Sequence, residues 1–360
     1  MEWKEYSLGD ISKLKYGKNV SAKLCKGPVP IFSGYRKIGT CNTINCKKNT
    51  VIVIARGAGG CGDVKLTKED CFLTNLSISV ELDKGICNAK WFYYNHLLNN
   101  LSFLNSGSAQ PQITIDSLSK YLIRIPPIII QRKIAGILSA LDSKIENNNK
   151  INANLEAQAE ALFKSWFVDF TPFKDQPFVD SELGPIPQGW KVGKLGDICT
   201  FKRGKNLLSK NAIDEGVPVV AGGLSPSCYH NQANTSAPVV TVSGSGANAG
   251  FMRMYHVDVW ASDCSFIDVS CDYLYFVYCF LSVNRRLLKH AQTGAVQPHV
   301  KPADIHDFDV VIPEEDIVKA FQSIIKELLT KVGVNEKENQ RLAALRDTLL
   351  PKLMSGEIKL

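Results

Sequence analysis

The chain has 360 residues, of which 45% are hydrophobic and 21% charged, and its formal net charge is +7. This composition is typical of a globular protein, and the length leaves room for about two domains of ~150 residues. No run of ~18 uninterrupted apolar residues occurs, so no transmembrane span is expected, and the start, MEWKEYSLGD, lacks the apolar segment of a signal peptide.

The chain contains 11 cysteines, and no two of them have CxxC spacing. An odd number of scattered cysteines predicts reduced thiols in a cytoplasmic protein rather than a disulfide framework. A zinc site is disfavoured because no second pair of ligands follows Cys41 and Cys46.

The opening segment returns later in the chain. The matching residues, each 187 positions apart, are Trp3 and Trp190, Gly9-Asp10 and Gly196-Asp197, and Gly17-Lys18-Asn19 and Gly204-Lys205-Asn206. Agreement at so many positions predicts two copies of one unit.

Short apolar runs follow in each copy and predict strands. Val29–Phe32 matches Val217–Val220, and Val51–Ile54 matches Val239–Val242, both at an offset of 188. Later in each copy, residues 88–104 and 272–290 predict a helix, and residues 122–127 and 308–313 predict a strand that ends at a proline.

Two long segments, residues 131–170 and 317–350, place apolar residues at steps of three and four, the pattern of an amphipathic helix. Because an apolar stripe needs a partner, the two helices are expected to pack together. The residues predicted for this helix or partner interface are Ile134, Leu138, Leu141, Ile145, Leu155, Leu162, Trp166, Phe321, Ile324, Leu328, Leu342, Leu345 and Leu349. Polar residues interrupt both stripes, at Asn147–Lys150 and at Asn335–Glu338. They either set the register of the two helices or form a solvent-exposed section where a partner docks.

Residues 57–62 fit the spacing GxGxxG, but the residues that follow do not begin an amphipathic helix, so a dinucleotide site is disfavoured. Walker A and HExxH motifs are absent, and the six histidines form no ligand cluster. The sequence therefore predicts no catalytic residue, no bound metal and no cofactor in this chain.

Positive charge is concentrated near the start, where residues 1–50 hold ten Lys or Arg against three acids. Basic and aromatic residues also alternate at residues 13–19 and again at 201–206. A basic face in both copies favours contact with a polyanion such as DNA over a merely solvated turn. The predicted DNA contacts are Lys15, Lys18, Asn19, Lys23, Arg36, Arg56, Lys202, Arg203, Lys205, Asn206, Lys210 and Arg253.

Several motifs resemble those of one family. They are LFKSWFVDF at residues 162–170, LRDTLLPKLMSGEI at 345–358, the Gly-x-x-Gln-Pro elements at 107–111 and 294–298, and the opening Trp-Lys…Leu-Gly-Asp. Through them the chain resembles the DNA-specificity subunit of type I restriction–modification enzymes over nearly its full length.

The resemblance implies that each globular unit is a target recognition domain that reads one half of a split DNA site. It implies that the two helices pack antiparallel as a spacer and bind methyltransferase subunits, which carry S-adenosylmethionine and methylate adenine. Restriction subunits join to cleave DNA, and ATP and Mg are expected on these partners. Residues that read bases vary with the target, so none is carried over.

The expected fold is mixed α/β, with two target recognition domains joined by an antiparallel coiled coil. The predicted boundaries are recognition domains at 1–128 and 189–313, spacer helices at 129–170 and 314–352, a Pro-rich linker at 171–188 and a tail at 353–360. The expected function is non-catalytic DNA recognition and scaffolding of enzymatic subunits. The alternatives are a freestanding DNA-binding regulator and a coiled-coil structural protein with incidental basic loops.

Overall fold

The computed structural model describes residues 3–20, 26–34, 36–57, 60–107, 110–293 and 298–360. The chain divides into two compact units: unit 1 comprises residues 1–146 and 339–360, and unit 2 comprises residues 147–338. Each unit contains one globular part and a stretch of both long helices. The predicted boundaries, by contrast, kept the helices apart from the recognition domains.

Unit 1 is built on a four-stranded and a three-stranded sheet. Its strands are β1 (Lys4–Ser7), β2 (Ser12–Tyr16), β3 (Val29–Ser33), β4 (Arg36–Cys41), β5 (Val51–Ile54), β6 (Val64–Leu66), β7 (Phe72–Leu73), β8 (Ser77–Leu82) and β9 (Leu122–Ile125). The central sheet has the order β2-β8-β5-β6, the second sheet has the order β4-β3-β7, and β1 pairs with β9. Its helices are α1 (Ala89–Leu98), α2 (Ile115–Ser119) and the first part of α3 (Ile128–Phe167).

The core of unit 1 lies between the central sheet and these helices. Helix α1 begins after Asn88, whose side chain accepts hydrogen bonds from the backbone N–H groups of Lys90 and Trp91, a favourable N-cap. Trp91 and Phe92 are fully buried in the same cluster as Val51 and Val53 of the central sheet. This packing confirms the predicted helix near residue 88, although it ends at Leu98.

Unit 2 repeats this plan with strands of slightly different length. They are β10 (Phe178–Val179), β11 (Ile186–Pro187), β12 (Lys191–Lys194), β13 (Lys202–Arg203), β14 (Val217–Val220), β15 (Cys228–His230), β16 (Val239–Ser243), β17 (Met252–Tyr255), β18 (Trp260–Ala261), β19 (Cys264–Ile267) and β20 (Asp309–Ile312). The helices are α4 (Leu195–Ile198), α5 (Leu274–Val283), α6 (Arg285–His290), α7 (Pro302–His306) and the first part of α8 (Glu315–Ser355). The central sheet has the order β13-β19-β16-β17, which matches the order in unit 1.

The pairing of the central strands corrects the sequence alignment by one residue. Val51 lies opposite Val80 in unit 1, and Val240 lies opposite Ile267 in unit 2. Val80 corresponds to Ile267, because Lys15 lies opposite Ser79 and its counterpart Lys202 lies opposite Phe266. Val51 therefore corresponds to Val240, at an offset of 189, and not to Val239. Since side chains alternate between the two faces of a strand, the predicted offset of 188 would have sent each core residue to the wrong face.

The two long helices run antiparallel within each unit. In unit 1, Asp142 of α3 forms an ion pair of 2.7 Å with Arg346 of α8. In unit 2, the Asn335 side chain donates a hydrogen bond of 2.7 Å to Asn152, and further along α3 the ring of Phe163 packs against Phe321. Because this Asn pair is buried, the polar residues are better explained as setting the register of the helices than as a solvent-exposed section.

Burial along the helices follows the predicted stripe at most positions. Ile134, Leu138 and Phe321 are buried, and a second group is partly buried, namely Leu141, Ile145, Leu155, Leu162, Trp166, Leu328, Leu342 and Leu349. Ile324 and Leu345, however, are 41% and 47% exposed and lie outside the buried helix–helix seam, so only their assignment to a partner interface stays a prediction. Ile325, Leu329 and Val332 are buried instead, because the 3.6-residue helical period shifts the buried face relative to a fixed spacing.

The segments predicted as linker and tail are also part of the fold. Residues 171–188 contain a 3-10 helix (Thr171–Phe173) and the β10–β11 pair, and Phe173 and Ile186 join the core of unit 2. Near the other end of the chain, Leu353 and Met354 are buried in the core of unit 1. Among the described residues, no helix is long and apolar enough to cross a membrane.

Candidate nucleic-acid interface

One edge of the central sheet in unit 1 collects several of the loops that the sequence singled out. Strands β2 and β5 are both antiparallel to β8, so their carboxyl ends lie at the same edge. Lys18 and Asn19 follow β2 there, and Arg56 follows β5 and forms a β-bridge with Gln112. The end of β3 lies at the same edge, since the Thr74 N–H donates a hydrogen bond to the Phe32 carbonyl oxygen, and Arg36 pairs with Ser33 at the end of that strand. We call Lys18, Asn19, Arg36, Arg56 and Gln112 the loop edge of unit 1.

Unit 2 has an equivalent loop edge. Strands β13 and β16 are both antiparallel to β19, and their ends carry Lys205-Asn206 and the glycine-rich residues 244–250. Ser245 forms a β-bridge with His299, which corresponds to the bridge between Arg56 and Gln112. Both units thus bring three separate segments of the chain together at one exposed edge.

The repeated Gly-Lys-Asn motif has a structural origin. A Cβ atom placed on Gly17 would lie 2.1 Å from the carbonyl oxygen of Thr74, and one on Gly204 would lie 2.2 Å from that of Ser262. Only glycine allows this close approach of two backbone segments. The glycine therefore fixes where each loop leaves the sheet, and the exposed Lys and Asn that follow are presented at its edge.

The charges at the two loop edges differ. In unit 1, Arg56 is partly buried, and its Nε has no hydrogen-bond partner among the residues that the structure describes. In unit 2, the corresponding residue is Ser245, and the arginine comes from Arg203 on β13. Asp263 pairs with the Arg203 guanidinium and also accepts a hydrogen bond from the Ser245 hydroxyl. Among the residues that the structure describes, no carboxylate pairs with Arg56 as Asp263 pairs with Arg203.

The remaining predicted DNA contacts lie elsewhere or are already engaged. Lys15, on β2, forms an ion pair of 2.9 Å with Glu81, and Lys202 lies exposed on β13. Lys210 is exposed in a short 3-10 helix, Ser209–Asn211. Lys23 lies outside the described residues.

Arg253 lies against the long helix rather than at the loop edge. Its guanidinium is 3.5 Å from a Glu336 carboxylate oxygen and stacks over the ring of Tyr255. Burial raises the pKa of Glu336 more than Arg253 lowers it. The structure therefore gives Arg253 a contact with α8, and sequence reasoning missed Asp263 and Gln112 because neither stands out in a charge or motif pattern.

The side chains at the loop edges offer hydrogen bonds and positive charge to a bound molecule. In the described part of the chain, no group of three or more His, Cys, Asp or Glu side chains is arranged to hold a metal ion. No helix begins directly after residues 57–62, which is where a dinucleotide would need one. Lys and Arg can contact phosphates, and Arg, Asn and Gln can hydrogen-bond to base edges.

Comparison with known proteins gives consistent results. The family model for the type I restriction modification DNA specificity domain matches residues 1–157 and 187–346. The chain is 29% identical to the specificity subunit of the type I restriction enzyme MjaIX of Methanocaldococcus jannaschii, over 87% of this chain and 78% of that one. It is 24% identical to the HindI specificity subunit of Haemophilus influenzae, over 99% and 100% of the two chains.

A solved structure shares the fold. It is the crystal structure of a type I restriction–modification S subunit from M. genitalium, with a TM-score of 0.68 and 21% identity, covering 98% of this chain and 96% of that one. The repeated units, the long helices and the match of the family model to both copies lead to one conclusion. The chain belongs to the family of type I restriction–modification specificity subunits, the non-catalytic DNA-recognition components of these complexes.

Proposed function

We propose that the two loop edges each read one half of a split DNA site, and that the long helices hold methyltransferase and restriction subunits. The observation that supports this most is the repetition of the loop edge with different side chains. Arg56 in unit 1 is replaced by Ser245 in unit 2, and Tyr16 by Arg203. Similar frameworks with unlike side chains are suited to unlike half-sites.

The proposal assigns no cofactor to this chain. S-adenosylmethionine would bind to the methyltransferase subunits, and ATP and Mg to the partners that act in restriction. The proposed compartment is the cytoplasm, which is consistent with the free state of all ten cysteines in the described residues.

The test is methylation by the reconstituted complex, followed by sequencing of the methylated sites. The chain alone should transfer no methyl group, and with its modification subunit it should methylate one split sequence. Arg56→Ala should relax the half-site read by unit 1 and leave the other half unchanged. Arg124→Ala, which removes an exposed arginine on β9 outside the loop edge, serves as the control. A change in both half-sites, or methylation by the lone chain, would contradict the proposal.

DNA affinity gives a second readout on the same complex. Replacing Lys18 and Lys205 by Ala should weaken binding to many sequences alike, since lysine contacts phosphates as a point charge. Each lost phosphate contact should reduce the slope of log affinity against log salt by about one. An unchanged slope would mean that these lysines do not face the DNA.

A further inference from the structure

A second basic surface in unit 1 lies at the opposite edge of the central sheet from the loop edge. It is a cleft of about 780 Å³ that lies beside the start of β5, the end of β8, the start of α1 and α3. Thr50 lies before β5 and Arg56 lies after it, so the cleft and the loop edge are separated by about 20 Å at ~3.3 Å per residue. We call Lys47, Lys48, Lys84, Lys90 and Arg132 the basic cleft.

Positive charge dominates this cleft. Glu81 is the only acid among its described lining residues, and it pairs with Lys15. Lys47 forms an ion pair of 2.9 Å with Asp70, and the pKa of Asp70 is lowered by hydrogen bonds from the Lys48 backbone and the Lys47 side chain. In the described part of the chain no carboxylate pairs with Lys84, Lys90 or Arg132, whose side chains are exposed.

The lining of the cleft includes apolar residues, and the chain around it is held by hydrogen bonds. Val80, Leu82 and Cys87 are among its lining residues, and of these Leu82 is partly exposed. The buried Gln131 side chain accepts a hydrogen bond from the Asn88 backbone and donates to the carbonyl oxygens of Ile86 and Pro126. These bonds tie the start of α3 to the start of α1, so the lysines project from a fixed frame.

The equivalent region of unit 2 does not carry this charge. The sheet register makes Cys271 the counterpart of Lys84, and the helix starts make Tyr275 the counterpart of Lys90. Lys319 corresponds to Arg132 but forms an ion pair of 2.6 Å with Glu315. The basic cleft is therefore a property of unit 1 rather than of the shared framework.

We infer that the basic cleft binds an acidic, amphipathic segment of a protein partner. A concave site of this volume suits a short segment rather than a DNA duplex, and a phosphate backbone would make no use of the apolar residues in the lining. An apolar centre with a charged rim is the usual composition of a protein–protein contact, and opposite charge favours fast and selective association. This inference rests on the proposed function, which makes the modification subunit the partner to test.

The experiment compares two full-length variants with the same change in net charge. Lys84→Glu with Lys90→Glu reverses two charges of the cleft, and Arg286→Glu with Lys289→Glu reverses two exposed charges on α6 of unit 2. Association with the modification subunit and DNA binding by the full chain are each measured at several salt concentrations. Thermal unfolding checks that the variants fold, and Lys84→Gln with Lys90→Gln provides a milder change.

The cleft variant should bind the modification subunit at least tenfold more weakly than wild type and depend less on salt, with the Gln variant in between. Its DNA affinity should match that of the control variant. A loss of DNA affinity with intact subunit assembly would overturn the inference in favour of a DNA-contacting cleft, and equal assembly by both variants would overturn it outright. If the wild-type chain itself does not assemble, the proposed function fails and this inference fails with it.

Discussion

At the scale of single residues, Gly17 occupies one of the tightest backbone contacts in unit 1. Gly17→Ala would place a Cβ atom 2.1 Å from the Thr74 carbonyl oxygen, so the backbone must shift. We expect a loss of about 1–3 kcal/mol in the free energy of unfolding, the usual cost of overpacking. The measurement is chemical unfolding of the full chain. Gly136→Ala is the matched control, because a Cβ atom there meets no atom within 4 Å, and alanine in a helix should be neutral or stabilising.

His96 makes the stability of unit 1 sensitive to pH. It is 2% exposed, and burial lowers its pKa to about 4 from an ordinary value of 6.5. Its ring Nδ1 lies 2.8 Å from the Phe92 carbonyl oxygen and its Nε2 lies 3.2 Å from the Tyr121 hydroxyl. Below pH 6.5 His96 binds a proton in the unfolded chain but not in the folded chain. The free energy of unfolding should therefore decrease as the pH falls from about 6.5 to about 4.

Urea unfolding at several pH values checks this expectation. His96→Gln should be less stable at neutral pH but should lose less stability on acidification than wild type. His290→Gln, a change at an exposed position, should keep the wild-type pH dependence. A wild-type profile for His96→Gln would show that this residue is not the group that titrates.

At the scale of elements, the sequence predicted the repeat, the strands and both long helices, because each depends on a pattern that can be read directly. The predicted match between β5 and β16 was wrong by one residue. The length of a loop insertion cannot be read from two apolar runs, so the sequence does not distinguish an alignment offset of 188 from one of 189. Ile324 and Leu345 are exposed although their spacing fits the stripe, because spacing alone does not fix which face of a long helix is buried. Nothing in the sequence distinguishes Arg253 from other exposed arginines, because Glu336 lies beside it only in the folded chain.

The buried asparagine pair of the long helices allows a specific test. Asn335→Ala leaves Asn152 buried without its partner, which should cost about 1–3 kcal/mol in the free energy of unfolding. Changing both Asn152 and Asn335 to Leu removes the polar groups together and should restore or raise stability, at the expense of a defined helix register. Urea unfolding of the single and double variants decides the point. A double variant less stable than Asn335→Ala would mean that the pair contributes net stability.

At the scale of the whole molecule, the repeat predicts that half of the chain can pair with itself. A chain of residues 1–184 keeps α3, and Asn335 corresponds to Asn148 at the offset of 187. Two copies could therefore form the hydrogen bond between Asn148 and Asn152 that the intact chain makes between Asn335 and Asn152. They would lack the Asp142–Arg346 ion pair, because Ala159 takes the place of Arg346, so this dimer should be weaker than the intact helix pair.

Sedimentation analysis of the half-chain tests this prediction. It should be dimeric, Leu155→Asp should make it monomeric, and with the modification subunit it should methylate a palindrome, since a twofold dimer presents the same loop edge twice. A monomeric half-chain, or methylation of an asymmetric site, would contradict it.

The way unit 1 is assembled from both ends of its sequence also governs the order in which the chain can fold during synthesis. Leu350, Leu353 and Met354 belong to the same buried cluster as Trp91 and Phe92. Residues 147–338, which form unit 2, all leave the ribosome before residues 339–360 do. On the ribosome, the part of unit 1 that is made first must therefore wait, with some of its apolar surface uncovered, until the whole of unit 2 has been synthesised.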